Sequence, residues 1–154
     1  MNFERDMSLD DLYQEVILDH NKRPRNYGPL ADAIEAHGHN PLCGDRLTLY
    51  VKVADDRVAD IHFEGSGCAI SKASASLMTE AVKGLSLADA EALFKRFQDM
   101  ITRPMEQDLD EAAVGKLAVL GGVRQFPVRI KCASLAWHTL RAALRKEPVV
   151  AKTE

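Results

Sequence analysis

No run of about 18 apolar residues occurs in the chain, the length a membrane-spanning helix needs, so no such helix is expected. Basic charge is not in excess either. Twenty Lys and Arg stand against 23 Asp and Glu, a formal net charge of -3, which lacks the electrostatic footprint of a nucleic-acid binder. The first 15 residues mix acids with bases and hold no apolar segment, so they read as neither a secretory signal nor a transit peptide. That places the chain in the cytoplasm. Cysteine is scarce: Cys43, Cys68 and Cys132 are the three present, and an odd number leaves one outside any disulfide framework. Persistent disulfides are rare in a reducing compartment in any case.

What is present is an ordinary globular balance, 46% hydrophobic and 28% charged over 154 residues. The length suits a single domain, residues 1–154. A chain this long buries roughly 68–70% of the surface it exposes when unfolded, so it needs no metal merely to fold.

Helical spacing of Leu12, Val16 and Ile17 predicts a helix over Ser8–His20, with Ser8 as N-cap. The basic stretch Lys22–Pro29 reads as a solvated connector, or alternatively as a docking surface for an acidic partner. Arg46–Ala54 and Arg57–Gly65 alternate with period 2 around a tight turn at Asp55-Asp56. In the second of these strands Ala59, Ile61 and Phe63 are expected on one face. Ala33–His39 would complete a three-stranded antiparallel sheet. Helices are then expected over Ala69–Lys83, from Ser86 to Thr102, over Asp110–Leu120 with its end at Gly121-Gly122, and over Lys131–Arg145, before a frayed tail from Glu147. One helix, a strand group and then helices describe an α+β domain, with helices packed on one face of the sheet.

All three cysteines are expected at element ends: Cys43 in a loop before a strand, Cys68 at a strand-to-helix junction and Cys132 opening the last helix. An isolated cysteine is most often an inert buried filler. Three at element ends, where distant segments meet, read instead as ligands or nucleophiles. A helix N-terminus favours the thiolate, the form that binds metal and attacks sulfur. Structural zinc takes four ligands. Asp45, two residues beyond Cys43 across Gly44, is a candidate fourth, and His37 and His39 are alternatives. His20, His62 and His138 read as ordinary surface or half-buried histidines.

Several stretches together carry a resemblance. Leu12–His20 and Arg23-Pro24-Arg25-Asn26-Tyr27-Gly28 are followed by Asn40-Pro41-Leu42-Cys43-Gly44-Asp45, Gly65-Ser66-Gly67-Cys68-Ala69-Ile70-Ser71 and Arg129-Ile130-Lys131-Cys132-Ala133. Over about residues 8–145 the chain resembles the NifU/IscU family of iron–sulfur cluster assembly proteins. Lys131 stands where scaffold members usually carry His, and the segment between Cys68 and Cys132 is longer than theirs, with the extra length around Phe94–Glu111. Both features point to the SufU-type branch. The resemblance implies a SufE/NifU-like fold and a zinc ion on Cys43, Asp45, Cys68 and Cys132. It also implies a SUF-type cysteine desulfurase as partner, and transfer of persulfide sulfur to downstream SUF assembly proteins. Cys43, on a glycine-adjacent loop, is the candidate acceptor and catalytic thiol of this zinc-dependent sulfurtransferase. The alternative function within the same family is a scaffold that builds an iron–sulfur cluster on the same cysteines.

Overall fold

A computed structural model describes residues 3–104, 107, 111–145 and 151–152. The helix α1 runs Phe3–Lys22, the strands are β1 (Ile34–Asn40), β2 (Asp45–Ala54) and β3 (Arg57–Ser66), and α2 (Ala69–Val82) and α3 (Leu87–Thr102) follow. A short α4 (Glu111–Val114), a 3-10 segment (Gly115–Gln125), α5 (Pro127–Leu144) and a two-residue β4 (Ala151–Lys152) complete the order. Ser8 lies inside α1 rather than capping it, since no Pro or Gly interrupts the residues before it and a mid-helix Ser costs only a few tenths of a kcal/mol, ~0.5, relative to Ala.

β1, β2 and β3 form the expected antiparallel sheet, with Ile34 opposite Val51 and Leu49 opposite Phe63. Asp55 and Asp56 both have positive φ, 54° and 57°, the signature of a two-residue type I′ hairpin turn. The alternation of β3 differs from the expected one. A register shift at Lys52/Val53 turns Val58 inward and leaves Ala59 exposed, while Ile61 and Phe63 remain buried. β4 pairs in parallel with β1 at Gly38 and His39, so the expected frayed tail contributes a fourth strand there; Glu147 and its neighbours lie outside the described residues.

Leu47, Leu49, Val51, Ile61 and Phe63 make the inner face of the sheet and pack under α2 and α5. Gly38 of β1 faces α5 so closely that a Cβ there would meet Leu135 at 3.1 Å and overlap Thr139 Oγ1. The other face of the sheet carries His37, Arg46, Thr48, Tyr50 and Glu64. Trp137 of α5 stacks on Phe97 of α3, with ring centroids 4.6 Å apart, and ties the outer helices to this core.

The two later helices differ from those expected. Gly115, in the left-handed region at φ 59°, ends α4 after Val114, and 3-10 turns continue past Gly121 and Gly122 to Gln125. Asp110, the expected start, lies outside the described residues, as do several positions of the expected insertion, whose first part, Phe94–Thr102, belongs to α3. α5 begins at Pro127, four residues earlier than expected. Proline suits a first helical position because its missing N–H is one the helix cannot use.

Candidate metal centre

The turn between β1 and β2 holds Cys43, and β2 opens directly on Asp45. Asp45, Leu47 and Leu49 share the inner face of the strand, so the carboxylate points toward the helices and is completely buried. His39 lies opposite Arg46 and His37 opposite Thr48, on the outer face. The two histidines therefore point away from Asp45, and His37 Nδ1 lies 3.2 Å from Thr48 Oγ1 instead.

Cys68 is the N-cap of α2. Its sulfur accepts the Ser71 N–H at 3.4 Å, filling the place usually taken by a Ser or Asp oxygen. Its own N–H donates to Asp45 Oδ1 at 2.8 Å, and its Sγ lies 3.8 Å from Asp45 Oδ2. Gly67 makes this approach possible. Its φ is 145°, and a Cβ there would lie 2.9 Å from Asp45 Cα and overlap Oδ1.

Cys132 is not in the first turn of its helix, contrary to expectation, because α5 starts at Pro127. It is buried, and its Sγ lies 3.3 Å from Cys43 Sγ. Burial first, and then hydrogen bonds with Cys43 and Asp45, push the Cys132 thiol well above its ordinary range. Cys43, by contrast, is exposed. Donor atoms of Cys43, Asp45 and Cys132 all lie within 4.8 Å of one another; Cys68 is not part of that group of three and touches it through Asp45, its Sγ 3.8 Å from Oδ2.

Three thiols and a carboxylate match the donors zinc takes in four-coordinate sites. Among the described residues no Lys, Arg or His forms an ion pair with the buried Asp45. A buried carboxylate calls for a positive partner, which a metal ion supplies. The set fits zinc on both counts.

Sequence reasoning missed Asn40. It is fully buried opposite Asp45; its Nδ2 donates to Cys132 Sγ at 3.6 Å and its Oδ1 accepts the Leu42 N–H at 3.2 Å. The available signal was the Asn40-Pro41 dipeptide, which favours such a side-chain-closed turn. His20 is not the expected surface or half-buried histidine either. It is buried, its Nδ1 lies 2.7 Å from Ser76 Oγ, and burial lowers its pKa. It joins α1 to α2 and takes no part in the cysteine cluster. His138 is half-buried against Phe94, and burial lowers its pKa too.

The basic loop is more than a connector. Asn26 C=O accepts the Phe63 N–H, Gly28 N–H donates to Phe63 C=O, and Arg25 pairs with Asp19 at 2.6 Å.

A helix-covered antiparallel sheet with Cys43, Asp45 and Cys132 brought together at one end, and Cys68 against Asp45, defines a small α+β protein with a thiol-rich candidate metal site. The chain belongs to the family of the NifU-like N-terminal domain, whose model matches residues 12–148. It is 48% identical over 140 residues to the zinc-dependent sulfurtransferase SufU of Bacillus subtilis, covering 91% of this chain and 94% of that one. It is 44% identical over 142 residues to the iron–sulfur cluster assembly scaffold protein IscU of Streptococcus pyogenes, covering 90% and 86%. A crystal structure from Fervidobacterium islandicum, put forward as an iron–sulfur cluster assembly scaffold for the SUF system, superposes with a TM-score of 0.77 at 35% identity, covering 84% and 94%. In the described residues no helix is long and apolar enough to cross a membrane.

Proposed function

We propose that this chain is a zinc-dependent sulfurtransferase. It accepts persulfide sulfur from a SUF-type cysteine desulfurase and passes it to downstream SUF assembly proteins in the cytoplasm. In this reading Cys43, Asp45, Cys68 and Cys132 hold the zinc, and Cys43 is the acceptor. The observation that carries it is the contrast among the four: Cys43 is exposed on a turn, Asp45 and Cys132 are buried, and Cys68 is fixed as a helix cap. One donor can reach a partner while the other three stay in place. The name of the B. subtilis relative supports the same chemistry.

Zinc, when bound, keeps its thiolate ligands deprotonated at neutral pH and adds no electron transfer of its own. The Cys43 thiolate attacks the outer sulfur of the partner's persulfide. A sulfur–sulfur bond forms on Cys43 as the partner's sulfur–sulfur bond breaks. The electron pair leaves with the partner's thiolate, and the proton remains on the terminal sulfur. The step is a thiol–disulfide exchange in form and needs no oxidant or reductant. Asp45 keeps the Cys68 strap in place through the Cys68 N–H while Cys43 is engaged.

A second reading is favoured by the S. pyogenes relative, named as a scaffold. The same three thiolates would then carry an iron–sulfur cluster. Elemental analysis with an absorption spectrum of the protein as purified separates the two. One zinc per chain and no visible colour is the expected result. Iron with inorganic sulfide and a visible chromophore would replace transfer by scaffolding.

A further inference from the structure

The Cys68 side of the centre depends on the segment that ends β3 and opens α2. Gly65 and Ser66, the last residues of β3, lead through Gly67 and Cys68 into α2, and the two glycines give this segment unusual backbone freedom. Its far end is fixed by the Cys68 N–H on Asp45 and by the helix cap. Its near end, Gly65-Ser66, lies opposite Leu47 and Arg46 of β2 and is held from outside the sheet as well. Residues 26–28 run along the open edge of β3 and satisfy both backbone groups of Phe63, from Asn26 C=O at 3.0 Å and Gly28 N–H at 2.9 Å. Gly65, two residues on, presents its groups to the same edge, beyond the reach of that short segment. The Tyr27 hydroxyl covers the gap, donating to Gly65 C=O at 3.2 Å and accepting the Gly65 N–H at 3.4 Å. The ring is fixed independently, edge-on to Phe63 with centroids 5.2 Å apart and with Lys72 Nζ 5.3 Å from its centroid.

We propose that Tyr27 is a positioning residue for the metal centre: its hydroxyl clamps Gly65 and so holds the strap that presents the Cys68 thiol. The clamp rests on the ligand set proposed above. The ring contacts secure the loop, and the hydroxyl secures the site. Removing the oxygen alone therefore separates the two roles.

The test compares wild type with Tyr27→Phe, which keeps the ring on Phe63 and under Lys72. In the metal-free full chain, amide hydrogen exchange at Gly65–Cys68 should quicken about threefold to tenfold, the range set by losing one such hydrogen bond, while the Phe63 amide keeps its wild-type rate. In the zinc-loaded chain, release to a chromogenic chelator should quicken by a similar factor. Tyr27→Leu, which also removes the ring, should in addition speed exchange at Phe63. Wild-type exchange at residues 65–68 in Tyr27→Phe overturns the clamp, and so does faster exchange with unchanged zinc release. If the wild-type chain takes up no zinc, the ligand reading fails, and the metal-free exchange decides the clamp by itself.

Discussion

Asp45 does three things at once, and comparing its Ala and Asn variants separates them. Its Oδ1 accepts the Cys68 N–H at 2.8 Å, it brings a buried negative charge with no described cationic side chain paired to it, and it is a proposed zinc donor. Losing a hydrogen bond to a charged acceptor costs about 1.5–3 kcal/mol. Removing an unpaired buried carboxylate returns part of that, since such a charge is itself unfavourable. In the metal-free chain the net loss should then be at most about 2 kcal/mol, or about 4–8 °C in thermal midpoint at this chain length. Circular dichroism should show the helices and sheet intact. With zinc the outcome is different in scale. Losing an outer-shell partner of a metal typically costs about 10–100-fold in affinity, so losing a ligand should cost more than about 100-fold. Chelator competition, with zinc content measured after gel filtration, reads this directly. Asp45→Asn keeps an acceptor for the Cys68 N–H, so it should recover the metal-free stability and leave zinc binding weak. Zinc held by Asp45→Ala as tightly as by wild type would refute the ligand assignment. A wholly unfolded metal-free wild type would refute the view that the core alone carries the fold.

Stability of the metal-free chain should fall as pH drops below about 6.5, the unperturbed histidine value, because burial holds His20 and His138 below it and the unfolded chain then binds more protons. Their contribution is complete above that pH and is lost as pH falls through the lowered values; denaturant midpoints against pH should show a shallower slope in His20→Gln. Gly67→Ala should destabilise the chain by about 1–3 kcal/mol and weaken zinc retention, because Ala is strained at φ 145° and its Cβ would meet Asp45; thermal melts with and without zinc check both effects.

Much of this was readable from the sequence where local chemistry decides structure. Ser86 caps α3 by accepting the Asp89 N–H, and Cys68 marks the start of α2, because caps are set by the residue itself and its next turn. The two Asp residues fixed the hairpin turn in the same way. The convergence of Cys43, Asp45 and Cys132 followed from the placement of cysteines near element ends, although Cys132 sits a turn further into its helix than Lys131 as a start would give. Pro127, at the first position of α5, is the local signal for that earlier start. The shift at Lys52/Val53, the parallel pairing of β4 and the burial of His20 depend on distant partners, which periodicity in one segment does not encode. The basic loop misled for the same reason. Its charges suggested solvent, while its backbone and Tyr27 are committed to the edge of β3.

The central claim is that Cys43 accepts sulfur from a desulfurase. Its most direct measurement is alanine release by a SUF-type cysteine desulfurase with wild type and with Cys43→Ala, zinc content being determined on the same samples. Cys43→Ala should abolish the stimulation given by wild type, since the remaining donors, Asp45, Cys68 and Cys132, are buried or committed as a helix cap. Full stimulation by Cys43→Ala that still carries zinc would contradict the account and move the acceptor to another cysteine.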